Sequence, residues 1–170
     1  NQVTIADTVT SIGKGAFSGT ALTEITIPEN VEVIDDYAFQ NTAITEITLP
    51  AAVKNVYTHT FVNMSSLTAI NVSDDSESFC SVDGVLYSKD KTMLIQYPID
   101  NMSTSYTVAN ETEEICSRAF YGAWRLEEII LPDSVTEISS RAFYDCEKLA
   151  NVKLSISLTT IGEAAFYDCD

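Results

Sequence analysis

The sequence predicts an α/β repeat, folded as a β-solenoid in which a short parallel sheet covers one face. One observation behind this prediction is an Ala-Phe pair that returns at a nearly constant spacing along the chain. Another is a short segment of alternating apolar and polar residues that follows most of the pairs. The composition agrees, because 45% of the 170 residues are hydrophobic and no apolar run approaches the roughly 20 residues that span a bilayer.

The Ala-Phe pair sets the period of the repeat. Its phenylalanines are 22 residues apart in the first half and 23 apart in the second, and they are Phe17, Phe39, Phe61, Phe120, Phe143 and Phe166. A single unit cannot bury its own apolar side chains, so a constant period of this length indicates units that stack on one another. The Ala-Phe segment is too short for a full helix and predicts a turn or a single helical turn. Thr60 replaces the alanine of the third pair, and its hydroxyl would need a partner there.

The strand segment begins five or six residues after each of the first five phenylalanines. The segments read LTEITIP, ITEITLP, LTAINVS, LEEIILP and LANVKLS, and this alternation is typical of a half-buried strand. Proline ends three of them, because it cannot donate a hydrogen bond to the sheet. When such strands stack at about 4.8 Å, the inward side chains form one core and the outward ones form stripes.

An extended unit at about residues 73–105 interrupts the repeat. Within it, Asp83 and Gly84 lie between two apolar runs, which is a strong signal for a β-hairpin. We expect one single domain over residues 1–170 from which this hairpin projects; a decorated rung that only extends the sheet is the alternative. The strands expected in the unit are Phe79–Val82, Val85–Tyr87 and Leu94–Tyr97.

The combined pattern resembles the BspA-like leucine-rich repeat family of bacterial cell-surface proteins. Its marks here are the half-motifs V-x-x-I-x-x-x-A-F and L-x-x-I-x-I-P, and the segment FCSVDGVLYSKDKTMLIQYP, which looks like an inserted unit of that family. The resemblance covers nearly the whole chain and implies a right-handed leucine-rich-repeat β-solenoid. It also implies a cell-surface or extracellular protein of a host-associated bacterium. Because Asn1 begins within a rung, we expect a fragment of a longer array.

Charge and cysteine spacing exclude several classes of partner. The net charge of −16 argues against nucleic acid, which needs clustered Lys and Arg, and against an anionic membrane surface. No CxxC pair accompanies the single histidine, so zinc-site spacing is absent and no metal or cofactor is expected. Cys146 and Cys169 share an apolar slot in which free thiols are favoured over a disulfide, whereas the state of Cys80 and Cys116 stays open.

Catalytic residues are not expected either. His59 lies two residues before Phe61, in a slot that holds many residue types in the other units. No second histidine is present to serve as a general base or to activate a nucleophilic serine or cysteine. We therefore predict that the chain is not an enzyme.

Candidate binding residues lie on the outward strand positions and at Trp124. Trp124 is the only tryptophan and stands in a slot that is polar in other units, which favours a binding anchor; the alternative is that it covers the side of the insert. Ile130 is an apolar exception in a polar stripe. The predicted binding residues are Glu24, Thr26, Glu46, Thr48, Asn71, Trp124, Glu128, Ile130, Asn151 and Lys153.

These observations favour a non-catalytic interaction or adhesion module. The resemblance implies binding to host or matrix components, and the sequence leaves a protein and a glycan partner open. One alternative is a structural spacer or a self-associating surface array, in which the ends of the solenoid meet other copies. Another is the recognition arm of an enzyme whose catalytic domain lies outside this chain.

Overall fold

The computed structural model describes residues 2–169, and over this range the chain is a β-solenoid of about seven turns without a helix. We call each turn of the solenoid a rung. The strands are β1 Gln2–Thr4, β2 Ser11–Ile12, β3 Glu24–Thr26, β4 Val33–Ile34, β5 Glu46–Leu49, β6 Asn55–Val56, β7 Ala69–Val72, β8 Phe79–Val82, β9 Val85–Ser88, β10 Met93–Gln96, β11 Ser105–Thr107, β12 Glu114–Ile115, β13 Glu128–Ile130, β14 Glu137–Ile138, β15 Asn151–Lys153 and β16 Thr160–Ile161.

The helical part of the α/β prediction is wrong. Each Ala-Phe segment, which we call the Ala-Phe turn, is a run of consecutive turns rather than a helix. The residue two places after each phenylalanine has a positive φ, and a left-handed residue at that place ends any right-handed helix. These residues are Gly19, Asn41, Asn63, Gly122, Asp145 and Asp168, all types that tolerate the left-handed region.

Each complete rung contributes two short strands, so the solenoid has two sheet faces and one turn face. The first sheet face holds β1, β3, β5 and β7 in the first half and β11, β13 and β15 in the second. The second sheet face holds β2, β4 and β6, and then β10, β12, β14 and β16. Neighbouring rungs pair in parallel, and the register sets equivalent residues opposite each other, as with Ile115 and Ile138.

The extended unit is built into the second sheet face and does not project as an isolated hairpin. Strand β8 pairs antiparallel with β9 around Asp83 and Gly84, β9 pairs antiparallel with β10, and β10 pairs in parallel with β12. Tyr87, in the middle strand of this meander, is fully buried. A side chain at Gly84 would come within 3.0 Å of Ala69, so the turn lies directly against β7. The unit therefore covers the edge of β7 on the first sheet face and adds β8 and β9 to the second sheet face.

Stacked aromatic rings run through the core behind the turn face. Phe17 and Phe39 stack with ring centroids 5.8 Å apart. A second run of four rings is spaced at 4.9, 4.7 and 4.9 Å and consists of Tyr97, Phe120, Phe143 and Phe166. Burying an aromatic or aliphatic side chain in this way contributes roughly 1.5–3 kcal/mol. The rings thus stack at about the spacing of the strands.

Tyr97 occupies the phenylalanine position of the extended unit. Its backbone N–H donates to the carbonyl of Ala119 at 2.7 Å, just as the N–H of Phe120 donates to the carbonyl of Ala142 at 2.7 Å. Tyr97 also lies 23 residues before Phe120, which is one full period. The extended unit is therefore a rung of its own, with Gln96-Tyr97 in place of Ala-Phe.

The hydroxyl of Thr60 has the partners that its slot requires. Thr60 is fully buried, and its Oγ1 lies 3.3 Å from the carbonyl oxygens of both Ile34 and Asp35. It also accepts a hydrogen bond from the backbone N–H of Tyr57 at 3.1 Å. The expectation that this threonine needs a partner is confirmed.

All four cysteines are free thiols, as expected for the pair in the shared apolar slot. Cys146 is buried and donates to the carbonyl of Phe120 at 3.1 Å, and Cys169 donates to that of Phe143 at 3.0 Å. Burial raises the pKa of Cys116 to about 12. The thiol of Cys116 therefore stays protonated at neutral pH and is a poor nucleophile.

Candidate functional site

The first sheet face presents the predicted outward positions in columns. Parallel pairing places each outward side chain beside the equivalent one of the next rung. The stacked pairs are Glu46 with Ala69, Thr48 with Asn71, Glu128 with Asn151, and Ile130 with Lys153. Most of these side chains are exposed, while those of Ala69, Asn71 and Ile130 are half-buried.

These columns form two groups on either side of the extended unit, and the first group is itself divided between the sheets β1-β3 and β5-β7. Strand β7 does not pair with β11, because the extended unit covers its free edge: the N–H of Ile70 donates to the carbonyl of Gly84 at 2.8 Å. The hydroxyl of Ser81 also donates to the carbonyl of Ile70, at 2.7 Å. The first group holds Glu24, Thr26, Glu46, Thr48 and Asn71, and the second holds Glu128, Ile130, Asn151 and Lys153.

Within the first group, two threonines share a depression. Thr26 and Thr48 line a shallow groove of about 200 Å³ together with Pro50 and Ser73. Its walls are threonine and serine hydroxyls, the carboxylate of Glu29 and aliphatic side chains, so it offers hydrogen-bonding groups beside a small apolar surface.

Trp124 lies on the Ala-Phe turn that leads into β13, and it is 37% exposed. The guanidinium carbon of Arg125 stands 3.9 Å from the ring centroid, and the ammonium of Lys148 stands at 5.4 Å. Arg125 in turn bonds the carboxylate of Asp100, beyond the end of β10, at 2.9 Å. The tryptophan is therefore held through a cation–π contact, with one edge of the ring left open to solvent.

A second surface, which the sequence reasoning did not identify, lies on the turn face. It is a groove of about 280 Å³, called here the turn-face groove. It is lined by Tyr37, Gln40, His59, Val62, Asn63, Arg118, Tyr121, Arg141 and Tyr144. No acidic residue lines it, although the chain carries 25 of them. The groove is thus a basic and aromatic site on a strongly acidic protein.

The repeat itself builds this groove from two columns of side chains. One column comes from the residue two places before each phenylalanine: Tyr37, His59, Arg118 and Arg141. The other comes from the residue directly after it: Gln40, Val62, Tyr121 and Tyr144. Beside the groove, a small cleft is lined by Gln96 and Ile99 of the extended unit and by residues of the Ala-Phe turns on either side of it. The groove itself is lined by residues of rungs before and after the extended unit.

His59 joins the two halves of the groove. Its Nδ1 lies 3.2 Å from Oδ1 of Asp36, and its backbone N–H donates to the same oxygen at 3.1 Å. Its Nε2 accepts from Nη1 of Arg118, and its ring stacks on that of Tyr37 at 4.9 Å. These hydrogen bonds assign the ring proton to Nδ1. Both ring nitrogens are engaged, so the histidine positions its neighbours.

The backbone at the groove is held in an unfavourable region. Tyr37, Arg118 and Arg141 have φ values of 60°, 59° and 58°, at a position where the first rung has Gly15. A left-handed conformation costs a non-glycine residue about 1–2 kcal/mol. Large side chains thus stand where glycine would be less strained, but Ala164 has the same conformation in the same slot outside the groove, so the strain belongs to the repeat and not to the site. The sequence signal was visible, because Arg and Tyr recur in these two slots in consecutive rungs.

The part of the chain that the structure describes holds no cluster of three or more His, Cys, Asp or Glu residues suited to a metal ion. None of its segments is a helix of the length and apolarity that a bilayer requires.

A family model described as "BspA type Leucine rich repeat region" matches in six copies over residues 1–82 and 100–170. No curated protein matches the chain. The gap in the family match, residues 83–99, falls inside the extended unit.

Three solved structures are similar over almost the whole chain. The pneumococcal vaccine antigen PcpA shares 36% identity over 95% of this chain and 41% of its own, with a TM-score of 0.87. A leucine-rich cell surface protein of Faecalibacterium prausnitzii shares 34% identity over 99% of this chain and 45% of its own, with a TM-score of 0.89. A leucine-rich repeat protein of Eubacterium ventriosum shares 27% identity over 99% of this chain and 51% of its own, with a TM-score of 0.86. The chain therefore spans about half or less of these relatives.

Proposed function

The chain belongs to the BspA-type leucine-rich repeat family, and from that premise we propose that it is a non-catalytic interaction module of a cell-surface or secreted protein. Its partner, in this proposal, is a host or matrix component that contacts the first sheet face. Two of the similar structures are a cell-surface protein and a vaccine antigen, which supports exposure at the cell surface. Neither their descriptions nor the geometry described above points to a reaction.

The observation that carries this proposal is the in-register stacking of outward side chains on β5, β7, β13 and β15. Each outward column is held in place by strand pairing, so a partner meets a preorganised surface and orders few side chains on binding. Solenoids commonly use such extended faces for recognition.

The charge of this face favours a partner with basic groups. Glu24, Glu46 and Glu128 are exposed on it, and Lys153 is the one basic residue among the predicted binding positions. Complementary charge steers association and sets specificity more than it adds affinity. In the second group, Ile130 and the open edge of Trp124 supply the apolar contact area that binding hot spots require.

The experiment is a binding survey with matched variants. The chain is tested by surface plasmon resonance against an array of host and matrix proteins and glycans, and then as Ile130→Glu and Trp124→Ala. We expect at least a tenfold loss of affinity for each variant, since a truncated hot-spot residue costs more than about 1.4 kcal/mol. Unchanged affinity for every partner in both variants would refute the proposed surface.

The control is an equivalent change on the other sheet face. Met93 lies on β10 and is 39% exposed, so Met93→Glu introduces the same charge without touching the first sheet face. This variant is expected to bind as the original chain does. A loss equal to that of Ile130→Glu would mean that added negative charge, and not the position, decides binding.

Self-association is a second candidate, favoured by exposed apolar residues in the last described rung. Ile156 is 87% exposed, and Ile161 and Tyr167 are each 53% exposed. Such side chains are available to another copy or to a following rung. Light scattering separates the two proposals, because a mass that doubles with concentration supports self-association and a constant monomer mass rejects it.

A further inference from the structure

We propose that the turn-face groove is a second binding site, which takes a carboxylate-bearing sugar residue of an acidic glycan between Arg118, Arg141 and the stacked rings of Tyr121 and Tyr144. This site is independent of the first sheet face. It lies on the turns, it is built from different positions of the repeat, and none of the residues predicted from the sequence lines it.

The two arginines supply the anion-binding groups. Arg118 uses Nη1 to reach His59, which leaves most of its five N–H donors directed elsewhere. The nearest carboxylate to Arg141 belongs to Glu163, at 3.9 Å, and this glutamate is 81% exposed. An ion pair so long and so exposed is worth little and is easily exchanged for a ligand carboxylate. The planar guanidinium matches a carboxylate with two parallel hydrogen bonds.

A fixed chain of hydrogen bonds positions Arg118. Asp36 accepts from His59, and His59 accepts from Arg118, while Tyr37 stacks on the histidine ring. Because the histidine is held on both nitrogens and on one face, the guanidinium that donates to it is held as well. A preorganised donor loses less conformational entropy on binding than a free surface arginine would.

The tyrosines supply a wall of stacked rings beside these charges. The rings of Tyr121 and Tyr144 stack at 5.3 Å and are 4° from parallel, and Tyr167 continues the stack at 4.8 Å. Stacked rings cover each other's faces, so this wall consists of ring edges and phenolic hydroxyls, which suit the C–H groups and the hydroxyls of a pyranose. The side-chain amides of Gln40 and Asn63 line the same groove and can donate to and accept from sugar hydroxyls.

Size and backbone chemistry favour a sugar over an extended peptide. A volume of 280 Å³ lies just below the usual range of small-molecule pockets, about 300–1,000 Å³, and suits one or two sugar rings. A peptide strand would need free backbone groups to pair with. Here the backbone groups of neighbouring turns are already paired with each other, because the N–H groups of Arg118, Phe120 and Gly122 donate to carbonyls of the next rung.

The strained backbone gives a test that separates binding from folding. Arg118→Gly and Arg141→Gly remove the guanidinium groups at positions where glycine adopts the left-handed conformation without strain. We expect the double variant to unfold at the same temperature as the original chain or slightly above it. Ala164→Gly is the matched control, because Ala164 occupies the same slot with a φ of 53° but does not line the groove.

The measurement is a ¹⁵N-resolved NMR titration at constant ionic strength. Sodium glucuronate and sodium N-acetylneuraminate are the two probes, since both carry the carboxylated pyranose, and their relative affinities distinguish a uronic acid from a sialic acid. Glucose tests the ring without the charge, sodium acetate the charge without the ring, and a short poly-glutamate peptide the competing class of ligand. The expected result is saturable shifts at the Tyr121 and Tyr144 amides with at least one acidic sugar.

The double glycine variant is expected to weaken that binding about tenfold or more, and Ala164→Gly to leave it unchanged. Absence of saturable shifts with both acidic sugars, equal binding of glucose, or tighter binding of poly-glutamate would each overturn the proposal. Acetate binding as tightly as the sugars would also overturn it, because the tyrosine wall would then contribute nothing. None of these outcomes decides whether the first sheet face binds a partner, which Ile130→Glu tests separately.

Discussion

The first two Ala-Phe turns and those that follow the extended unit make the same turn in two different ways. In the 22-residue rungs, the residue three places after phenylalanine is a threonine: the hydroxyl of Thr42 donates to the carbonyl of Phe39, within its own turn, at 2.8 Å. In the 23-residue rungs the turn is one residue longer, and the same place holds a buried residue such as Cys146. Its thiol donates at 3.1 Å to the carbonyl of Phe120, which belongs to the preceding rung.

The difference teaches how a solenoid accommodates a change of period. A rung can gain one residue on the turn face without shifting the strands, provided that the added residue fills the space and every buried carbonyl keeps a donor. The short turn satisfies its phenylalanine carbonyl from within, whereas in the long turn the Phe120 carbonyl accepts both the N–H of Ala123, at 3.0 Å, and a thiol of the next rung. The second half therefore depends more on contact between neighbouring rungs, and its four stacked rings reflect this.

The largest expected effect breaks that ring stack. Phe120 is fully buried between Tyr97 and Phe143, so Phe120→Ala leaves a cavity between two rungs and is expected to cost about 3–5 kcal/mol of unfolding free energy. Urea denaturation followed by circular dichroism measures the loss. Phe17→Ala is the comparison, because Phe17 is only half-buried and stacks on Phe39 alone. Equal losses in the two variants would show that the halves do not differ in this way.

The next effect sharpens the comparison at the extended unit, where two tyrosine hydroxyls meet. Tyr87 and Tyr106 share a buried hydrogen bond of 2.8 Å. Tyr106→Phe leaves the buried Tyr87 hydroxyl with only the long hydrogen bond that it accepts from the N–H of Ala109 at 3.5 Å, which is expected to cost about 1–3 kcal/mol of unfolding free energy. Thermal and urea unfolding of the variant measure this loss.

The control for this prediction is another tyrosine of the same core. The hydroxyl of Tyr97 is buried and, among residues 2–169, has no hydrogen-bond partner. Tyr97→Phe removes this unsatisfied group and is expected to leave stability unchanged or to raise it. If both substitutions destabilise the chain equally, the hydrogen bond between Tyr87 and Tyr106 is not the cause.

Much of the fold followed from the sequence because one physical rule repeats. The spacing of the phenylalanines and the alternation after them predict stacked parallel strands, and the registers of Ile115 with Ile138 and Glu46 with Ala69 show that stacking. The buried, bonded hydroxyl of Thr60 followed in the same way, since a slot that is apolar in other rungs requires a partner for a polar group. These predictions need only the period.

The errors arise where the structure departs from the period or depends on the turn conformation. The extended unit was expected to project a hairpin, because Gln96 stands where alanine marks the other turns and Tyr97 was not recognised as their phenylalanine. The turn-face groove was missed because the slot of His59 and Arg118 varies between rungs, which suggested an unimportant exposed position. Variation within one repeat also arises when consecutive rungs contribute different side chains to one site, and the sequence does not distinguish these two cases.

The smallest expected effect concerns the short turn itself. Thr42 is buried, and Thr42→Val removes its hydroxyl while keeping nearly the same shape. The Phe39 carbonyl still accepts the backbone N–H of Thr42 at 3.2 Å, so no buried acceptor is orphaned and the loss should be about 0.5–1 kcal/mol. Thr20 makes the same bond to the carbonyl of Phe17 at 2.7 Å but is exposed, so water replaces it in Thr20→Val and the change should stay within about 0.5 kcal/mol. Urea denaturation of both variants checks this order, and a larger loss for Thr20→Val would mean that the hydroxyl orders the turn independently of burial.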